Sequence, residues 1–199
     1  MAWALGIRFI PVDTQRGAVE ISGTAMRNDP WTHWQHLHPV VRPYFLKRVA
    51  LRGGIPAQRN ALAQQLAAHY QTRHVADYGT SFTADLTRNV PGWTDAQLSA
   101  QDMATILRGQ KASSDALARQ SNRVMFTATT LTDIAQNTRK LFDKAPAWMD
   151  RAADEEKLDI ILSLDGRADT ENMIALAAPT LDAALRALDT RLPPALPSV

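Results

Sequence analysis

The sequence predicts an α/β fold in which a parallel sheet is covered by helices on both faces. Strand-like and helix-like segments alternate along most of the chain. Strands that alternate with long helices are typical of a parallel sheet covered on both faces. With 199 residues, 45% of them hydrophobic, the chain is also long enough to bury a substantial core.

The N-terminal part supplies one strand and one short helix. Leu5 to Val12 is short and apolar, as expected of a buried strand. A helix start follows, since Ser22 can act as the N-cap, Arg27 lies one turn further on, and Pro30 prevents a long helix. Residues 39–45 hold two prolines and form the best candidate for a domain boundary.

From residue 46 onward, strands and helices alternate. The predicted strands are Leu46 to Leu51, Arg123 to Thr127 and Lys157 to Leu164. The predicted helices are Asn60 to Tyr70, a long segment that begins at Thr94 with Gln97 at capping-box spacing, Leu131 to Phe142, and Thr170 to Leu192. Residues 193–199 (PPALPSV) are expected to be a disordered tail.

Composition and charge exclude several classes of protein. The 22 Lys and Arg against 20 Asp and Glu give a formal net charge of +2, which does not indicate a nucleic-acid partner. The absence of cysteine excludes a disulfide framework, a thiolate metal site and a cysteine nucleophile, and it fits a reducing compartment. No apolar run approaches the roughly 20 residues of a membrane helix, and the N-terminus lacks a signal-peptide pattern. We therefore expect a cytoplasmic protein without nucleic-acid or membrane partners.

The loop GGIPAQRNA, residues 53–61, has the position of a phosphate-binding loop between a strand and a helix. A working loop of this kind needs G-x-x-x-x-G-K-[ST]. By spacing, Gln58, Arg59 and Asn60 stand where Gly, Lys and Ser or Thr are required. Taken alone, these residues favour an ordinary strand–helix turn over a nucleotide site.

Residues 21–54, ISGTAMRNDPWTHWQHLHPVVRPYFLKRVALRGG, resemble the junction of the bifunctional NadR-type family, which joins nicotinamide-nucleotide adenylyltransferase to ribosylnicotinamide kinase. In that family I-S-x-x-x-[IM]-R-x-[ND]-P closes the adenylyltransferase domain, and P-x-x-x-[KR]-[PF]-[FY]-F leads into the kinase P-loop. The matching residues are Ile21-Ser22, Met26-Arg27, Asp29-Pro30, Trp34, Pro39 and Arg42-Pro43-Tyr44-Phe45. The resemblance implies a Rossmann-like adenylyltransferase remnant over residues 1–45 and a P-loop kinase-like domain over residues 46–192.

The positions that carry the family's chemistry have changed. Its E-Y-G-R appears as Asp77-Tyr78-Gly79-Thr80, which loses the basic residue. The acidic positions of its F-[IL]-D-T-D strand are Ala128 and Thr130. Residues 165–169 are too short for the Arg-bearing lid, although Arg167 alone can imitate it, and no [HT]-x-G-H motif occurs. We therefore expect no catalytic residue.

The resemblance still implies a set of residues that contact a nucleotide. They are Gly53, Gly54, Arg59 and Asn60 in the loop, and Ser22 and Arg27 at the N-terminal helix. ATP is the one cofactor that the resemblance implies, as a weak ligand, and the residues alone establish no cofactor. We expect no metal site, because the histidines at 33, 36 and 38 have no carboxylate at ligand spacing.

Three hypotheses of function follow. The first is a catalytically silent relative of ribosylnicotinamide kinase, a pseudo-enzyme that serves binding, regulation or assembly. The second is an active ATP-dependent ribosylnicotinamide kinase of NAD metabolism in which Arg59 replaces the P-loop Lys. The third is a structural subunit of a larger assembly.

We also expect self-association or docking onto a larger protein partner. A lone strand at Leu5 to Val12 has unpaired backbone groups along both edges, so it must pair with something. Trp3, Trp31 and Trp34 would cover the contact that forms.

Overall fold

The computed structural model describes residues 21–192, in which five strands form one sheet. The elements are α1 (Gly23–Asn28), a 3₁₀ turn (Trp34–His36), α2 (Arg42–Phe45), β1 (Lys47–Arg52), α3 (Pro56–His69), β2 (Arg73–Val75), α4 (Tyr78–Asn89), a 3₁₀ turn (Asp95–Gln97), α5 (Ala100–Ala118), β3 (Val124–Thr127), α6 (Leu131–Phe142), α7 (Ala147–Asp154), β4 (Ile160–Ser163), β5 (Met173–Ala175) and α8 (Leu181–Leu188). The predicted strand at Leu5 to Val12, Trp3 and the predicted tail at residues 193–199 lie outside the residues described.

The sheet is parallel throughout, with the strand order β2-β3-β1-β4-β5. The central strand β1 pairs with β3 on one side and with β4 on the other, so that Val49 lies beside both Phe126 and Ile160. The predicted parallel α/β sheet is confirmed.

Side chains that alternate along the strands build a core on each face of the sheet. Val49 and Leu51 point to the face covered by α3 and α8, where they belong to the larger buried cluster. Ala50 points to the opposite face, as does Arg48, whose Nη1 donates to Ser114 Oγ of α5 at 3.2 Å. Helices therefore cover both faces, as predicted.

Several elements differ from the prediction. The predicted helix from Thr170 to Leu192 is wrong, because Met173–Ala175 forms the edge strand β5 and α8 begins only after Thr180, whose hydroxyl accepts from Ala183 N. The long helix predicted from Thr94 begins at Ala100, since the Thr94–Gln97 capping box closes only a 3₁₀ turn.

Other helices and strands were not predicted at all. Strand β2 holds three residues, two of them Arg and His. Helix α4 has no fully buried residue, and helix α7 buries only Met149. The segment 39–45, predicted as a connector, contains the four-residue helix α2. Elements as short as β2 and α2 leave little periodicity in the sequence.

Helix α3 begins four residues earlier than predicted, at Pro56. Proline is favoured at the first helical position because its φ is already helical and its missing N–H has no intrahelical partner there. The loop between β1 and α3 is therefore reduced to Gly53-Gly54-Ile55, and residues 56–58 form the first turn of the helix.

The backbone divides into two compact units, Met1–Leu37 and His38–Val199. In the first, Ser22 caps α1 as predicted, with Ala25 N donating to its Oγ at 2.9 Å, and the helix ends at Asn28, before Pro30. In the second lie the sheet and helices α2 to α8. The domain boundary expected after residue 45 stays a prediction. Within residues 21–192, no helix is both long and apolar enough to cross a membrane.

Candidate functional site

A cleft of about 590 Å³ lies at the carboxyl ends of β1 and β4, where parallel α/β sheets place their ligands. Loops that follow the strands and the helix α6 surround it. Its lining is mostly polar and includes both signs of charge: Arg52, Gly53, Gly54, Pro56, Arg59, Asp133, Gln136, Asn137, Lys140, Ser163, Asp165, Arg167, Asp169 and Met173.

Two glycines form the edge of this cleft. Gly53 (φ +76°) and Gly54 (φ +59°) both adopt left-handed conformations, which glycine takes without strain. The backbone N–H of Gly54 donates to Asp165 Oδ1 at 2.7 Å. A Cβ at Gly53 would come within 2.8 Å of the same oxygen and closer still to the rest of the carboxyl group. The loop therefore needs glycine at 53 because an acidic side chain lies directly on it.

Arg59, on the first turns of α3, closes the loop from the other side. Its Nη1 donates to the carbonyls of Gly53 and Gly54, both at 3.1 Å. Its Nε donates to Ala128 O at 2.6 Å and its Nη2 to Thr129 Oγ1 at 3.3 Å. Four hydrogen bonds thus direct the guanidinium group to the protein's own backbone and to Thr129.

Asn60 and Asp77 form a second internal link. Asn60 Oδ1 accepts from Asp77 N at 2.9 Å, which ties α3 to the segment after β2. Asp77 is buried and caps α4, because its carboxylate accepts from Gly79 N at 3.2 Å and from Thr80 Oγ1 at 2.7 Å. The Asp77 carboxylate is therefore a helix cap here.

Gln110, in the middle of α5, is a buried polar residue that the sequence analysis did not single out. Its side chain is 1% exposed. Tyr78 N donates to its Oε1 at 2.8 Å, and its Nε2 donates to Thr129 O at 3.0 Å. One amide thus connects the start of α4 to the segment that follows β3. A glutamine inside a helical pattern carries no signal of such a role.

The two positions where the resembling family has acidic residues also have structural roles. Ala128 supplies the carbonyl that Arg59 binds. Thr130 caps α6, with Asp133 N donating to its Oγ1 at 3.0 Å. Asp133 in turn forms an ion pair with Arg52, Oδ1 to Nε at 3.3 Å.

Lys140 and Arg167 supply unpaired positive charge to the cleft. Both are exposed, and neither makes a hydrogen bond or ion pair with any part of the chain between residues 21 and 192. Over the same residues, no three His, Asp or Glu side chains are grouped so as to hold a metal ion. The cleft is thus suited chemically to an anionic ligand.

The predicted contact residues fall into two groups. Gly53, Gly54 and Arg59 meet at the cleft, with Asn60 directed to Asp77 instead. Ser22 and Arg27 belong to the other compact unit, where Ser22 caps α1 and the exposed Arg27 donates to Thr24 Oγ1 at 3.4 Å.

A second cleft, of about 680 Å³, contains a carboxyl group with an unusual pKa. Glu156 accepts a hydrogen bond from Leu131 N at 2.8 Å, at the start of α6. Burial raises the pKa of Glu156 from 4.5 to about 7, and the nearby Asp133 adds to this, while the amide hydrogen bonds and Arg48 oppose it. Because the folded state holds this proton more tightly than the unfolded chain, the associated stability is present below pH 4.5 and is lost as the pH rises to about 7.

We expect Glu156→Gln to stabilise the protein at pH 8 and to change little at pH 4.5. The amide keeps an acceptor for Leu131 N and removes the buried charge, a gain of about 1.5 kcal/mol, roughly half the equivalent of the pKa change because the cleft is open to water. Urea unfolding at both pH values measures it, with Glu155→Gln, an exposed neighbour lining the same cleft, as the control. A variant less stable than the native chain at pH 8 would contradict the argument.

Comparison with known proteins gives one consistent relationship. No protein-family model matches the sequence. Two curated relatives, both named "Trifunctional NAD biosynthesis/regulator protein NadR", from Salmonella typhimurium and Escherichia coli, are each 25% identical to this chain over 161 residues. The matched region is 81% of this chain and 38% of either relative, so the chain spans well under half the length of these proteins.

Solved structures agree on the fold. A structure described as NadR protein in complex with NAD and AMP-PNP superposes with a TM-score of 0.70 and 17% identity, covering 92% of this chain and 61% of that one. A second, described as NadR protein in complex with NR, has a TM-score of 0.69 and 18% identity, covering 97% of this chain and 67% of that one.

Proposed function

Because the chain is related to the NadR proteins, we propose that it is a non-catalytic relative of a ribosylnicotinamide kinase that binds phosphate-bearing ligands weakly in the cleft beside Gly53 and Gly54. The observation that carries this proposal is the position of the Arg59 guanidinium. In a P-loop the corresponding lysine reaches the β- and γ-phosphates of the nucleotide. Here the guanidinium is bound to Gly53 O, Gly54 O, Ala128 O and Thr129 Oγ1.

The residues present do not fit a magnesium–nucleotide complex held as in a P-loop kinase. Such a site takes Mg²⁺ on a Ser or Thr hydroxyl of the loop and on acidic residues nearby. Asn60 stands at the hydroxyl position and binds Asp77 N, Ala128 has no side-chain oxygen, and the Thr130 hydroxyl caps α6. Phosphoryl transfer depends on these charges, which supports a non-catalytic role for the cleft.

Weak binding of an anion is supported by the remaining chemistry of the cleft. Gly54 presents backbone at its edge, and Lys140 and Arg167 line it with exposed positive charge. We therefore keep Gly53 and Gly54 as proposed contacts of a phosphate group. Arg59 acts in this proposal as a support of the loop, and Asn60 ties α3 to the segment after β2. The ligand roles of Ser22 and Arg27 stay predictions.

We expect the purified chain to form no product from ATP and either ribosylnicotinamide or nicotinamide mononucleotide. Chromatography of reactions with Mg²⁺, against a no-protein blank, measures this. The Arg59→Lys variant is the more stringent test, because it restores the P-loop lysine. We expect it to form no product either, since the other changed positions remain: Gln58, Asn60, Ala128 and Thr130. Mg²⁺-dependent product from the native chain would establish the active-kinase alternative.

Two broader expectations belong to the proposal. Self-association or docking onto a larger protein rests on the segment Leu5 to Val12, which lies outside the residues that the structure describes, so it stays a prediction. The cytoplasmic location also stays a prediction.

A further inference from the structure

We propose that Asp165 is a built-in competitor for phosphate at the glycine loop, so that its carboxylate holds the place a phosphate oxygen would take. The inference rests on the proposed function and concerns the regulation of the same cleft. Its basis is the hydrogen bond of 2.7 Å from Gly54 N to Asp165 Oδ1, together with the close approach of the same carboxyl group to Gly53.

The position of Asp165 follows from the sheet itself. Strands β1 and β4 stay in register up to the pair Arg52 and Ser163, and Leu164 N then donates to Arg52 O at 2.8 Å. The next residue along is Asp165, opposite the glycine loop. The contact is therefore a continuation of paired strands, which gives the carboxylate a fixed place beside the loop.

A carboxylate and a phosphate compete for the same groups. Both accept strong hydrogen bonds from backbone N–H donors. A single N–H group has one hydrogen to donate, so it can make a strong hydrogen bond to only one of them. A phosphate oxygen at Gly54 N would also lie against the Asp165 carboxylate, where like charges repel. In the native chain, the backbone N–H of Gly54 that could bind a phosphate is thus already bonded to Asp165.

The surrounding charges favour an incoming anion once this carboxylate is removed. Arg59 remains beneath the loop, and Lys140 and Arg167 line the same cleft. Removing Asp165 frees the Gly54 N–H and raises the net positive charge of the cleft by one. The expected ligand class is a phosphate monoester or polyphosphate.

The test uses calorimetric titration of the full chain with inorganic phosphate, and with ATP in the absence of Mg²⁺, at physiological salt. We expect Asp165→Ala to bind at least about tenfold more tightly than the native chain, as for release of one charge-assisted hydrogen bond. Asp169→Ala is the matched control, because Asp169 lines the same cleft and carries the same charge, while its carboxylate makes no hydrogen bond to the loop. It should change affinity by less than about threefold, since an exposed charge is largely screened.

Equal affinities of the Asp165→Ala and Asp169→Ala variants would overturn the proposal, whether both gain or neither does. Asp165→Asn keeps the shape of the side chain and removes its charge, and it serves if the alanine variant fails to fold; it should bind more tightly than both the native chain and Asp169→Ala, and an affinity equal to that of Asp169→Ala would likewise overturn the proposal. Product formation by the native chain would refute catalytic silence and leave this comparison of affinities unaffected. If Asp165→Ala bound no more tightly than the native chain, the competitor role would be refuted, and the proposal that the protein is non-catalytic would be unaffected.

Discussion

Arg59→Ala is expected to lower the free energy of unfolding by about 3 kcal/mol, because it removes four hydrogen bonds from a charged guanidinium group and leaves three backbone carbonyls without that donor. For a chain of this size, the corresponding fall in Tm is about 6 to 12 °C. Thermal unfolding followed by circular dichroism measures it. The effect separates the two roles of the residue, since a side chain kept only to bind nucleotide would change ligand affinity and leave stability nearly unchanged.

Two further substitutions serve as controls for this result. Arg167→Ala removes an exposed guanidinium from the same cleft and should change stability by less than about 0.5 kcal/mol. Arg59→Lys keeps the charge but lacks the planar fork of donors, so we expect it to lose about half of what the alanine variant loses. If Arg59→Ala were as stable as Arg167→Ala, the guanidinium would not be holding the loop.

Gly109→Ala should destabilise the protein by about 2 kcal/mol, although alanine is ordinarily the better residue inside a helix. A Cβ at this position of α5 would overlap the ring of Tyr78. The ring cannot move away easily, because Tyr78 N is held by Gln110 and the ring stacks on Phe82 with centroids 6.5 Å apart. Urea unfolding of the native and variant chains gives the difference directly.

Gly79→Ala is the matched comparison, one helix away. The Cβ there would meet Asp77 Oδ1 at 3.4 Å and Ile106 Cγ2 at 3.5 Å, which are ordinary contacts. We expect this variant to be neutral or stabilised by about 0.5 kcal/mol, as for an unstrained glycine replaced by alanine. A Gly109→Ala variant as stable as Gly79→Ala would show that Tyr78 yields to the added methyl group.

The fold class could be predicted because strand-like segments with an apolar centre alternate with helices along the chain. Lys157 to Leu164 contains β4, and Leu46 to Leu51 overlaps β1 almost completely. The edge strand β5 could not be predicted, because Met173–Ala175 is short and lies in an Ala- and Leu-rich segment with a helical pattern. Pairing with β4 decides its conformation, and local sequence does not encode that pairing.

The candidate site was predictable only in outline. The sequence alone identifies the glycine loop. It does not show that α3 begins at Pro56, which shortens the loop and places Gln58 in the helix. The contact of Asp165 with Gly54 joins residues 111 positions apart and depends on β4 lying beside β1. Nothing in the sequence orders the strands, so neither this contact nor the hydrogen bonds of Arg59 to the segment after β3 could be foreseen.

The place of β1 at the centre of the sheet has a consequence for how the chain folds. Its two neighbours, β3 and β4, come much later in the sequence, and Arg48 N meets its acceptor, Asp159, across 111 residues. Loops of that length must close before the central strand gains its partners, which makes folding slow. During synthesis β1 therefore leaves the ribosome well before β3 and β4 are made, and in that interval its unpaired edges are open to wrong pairings.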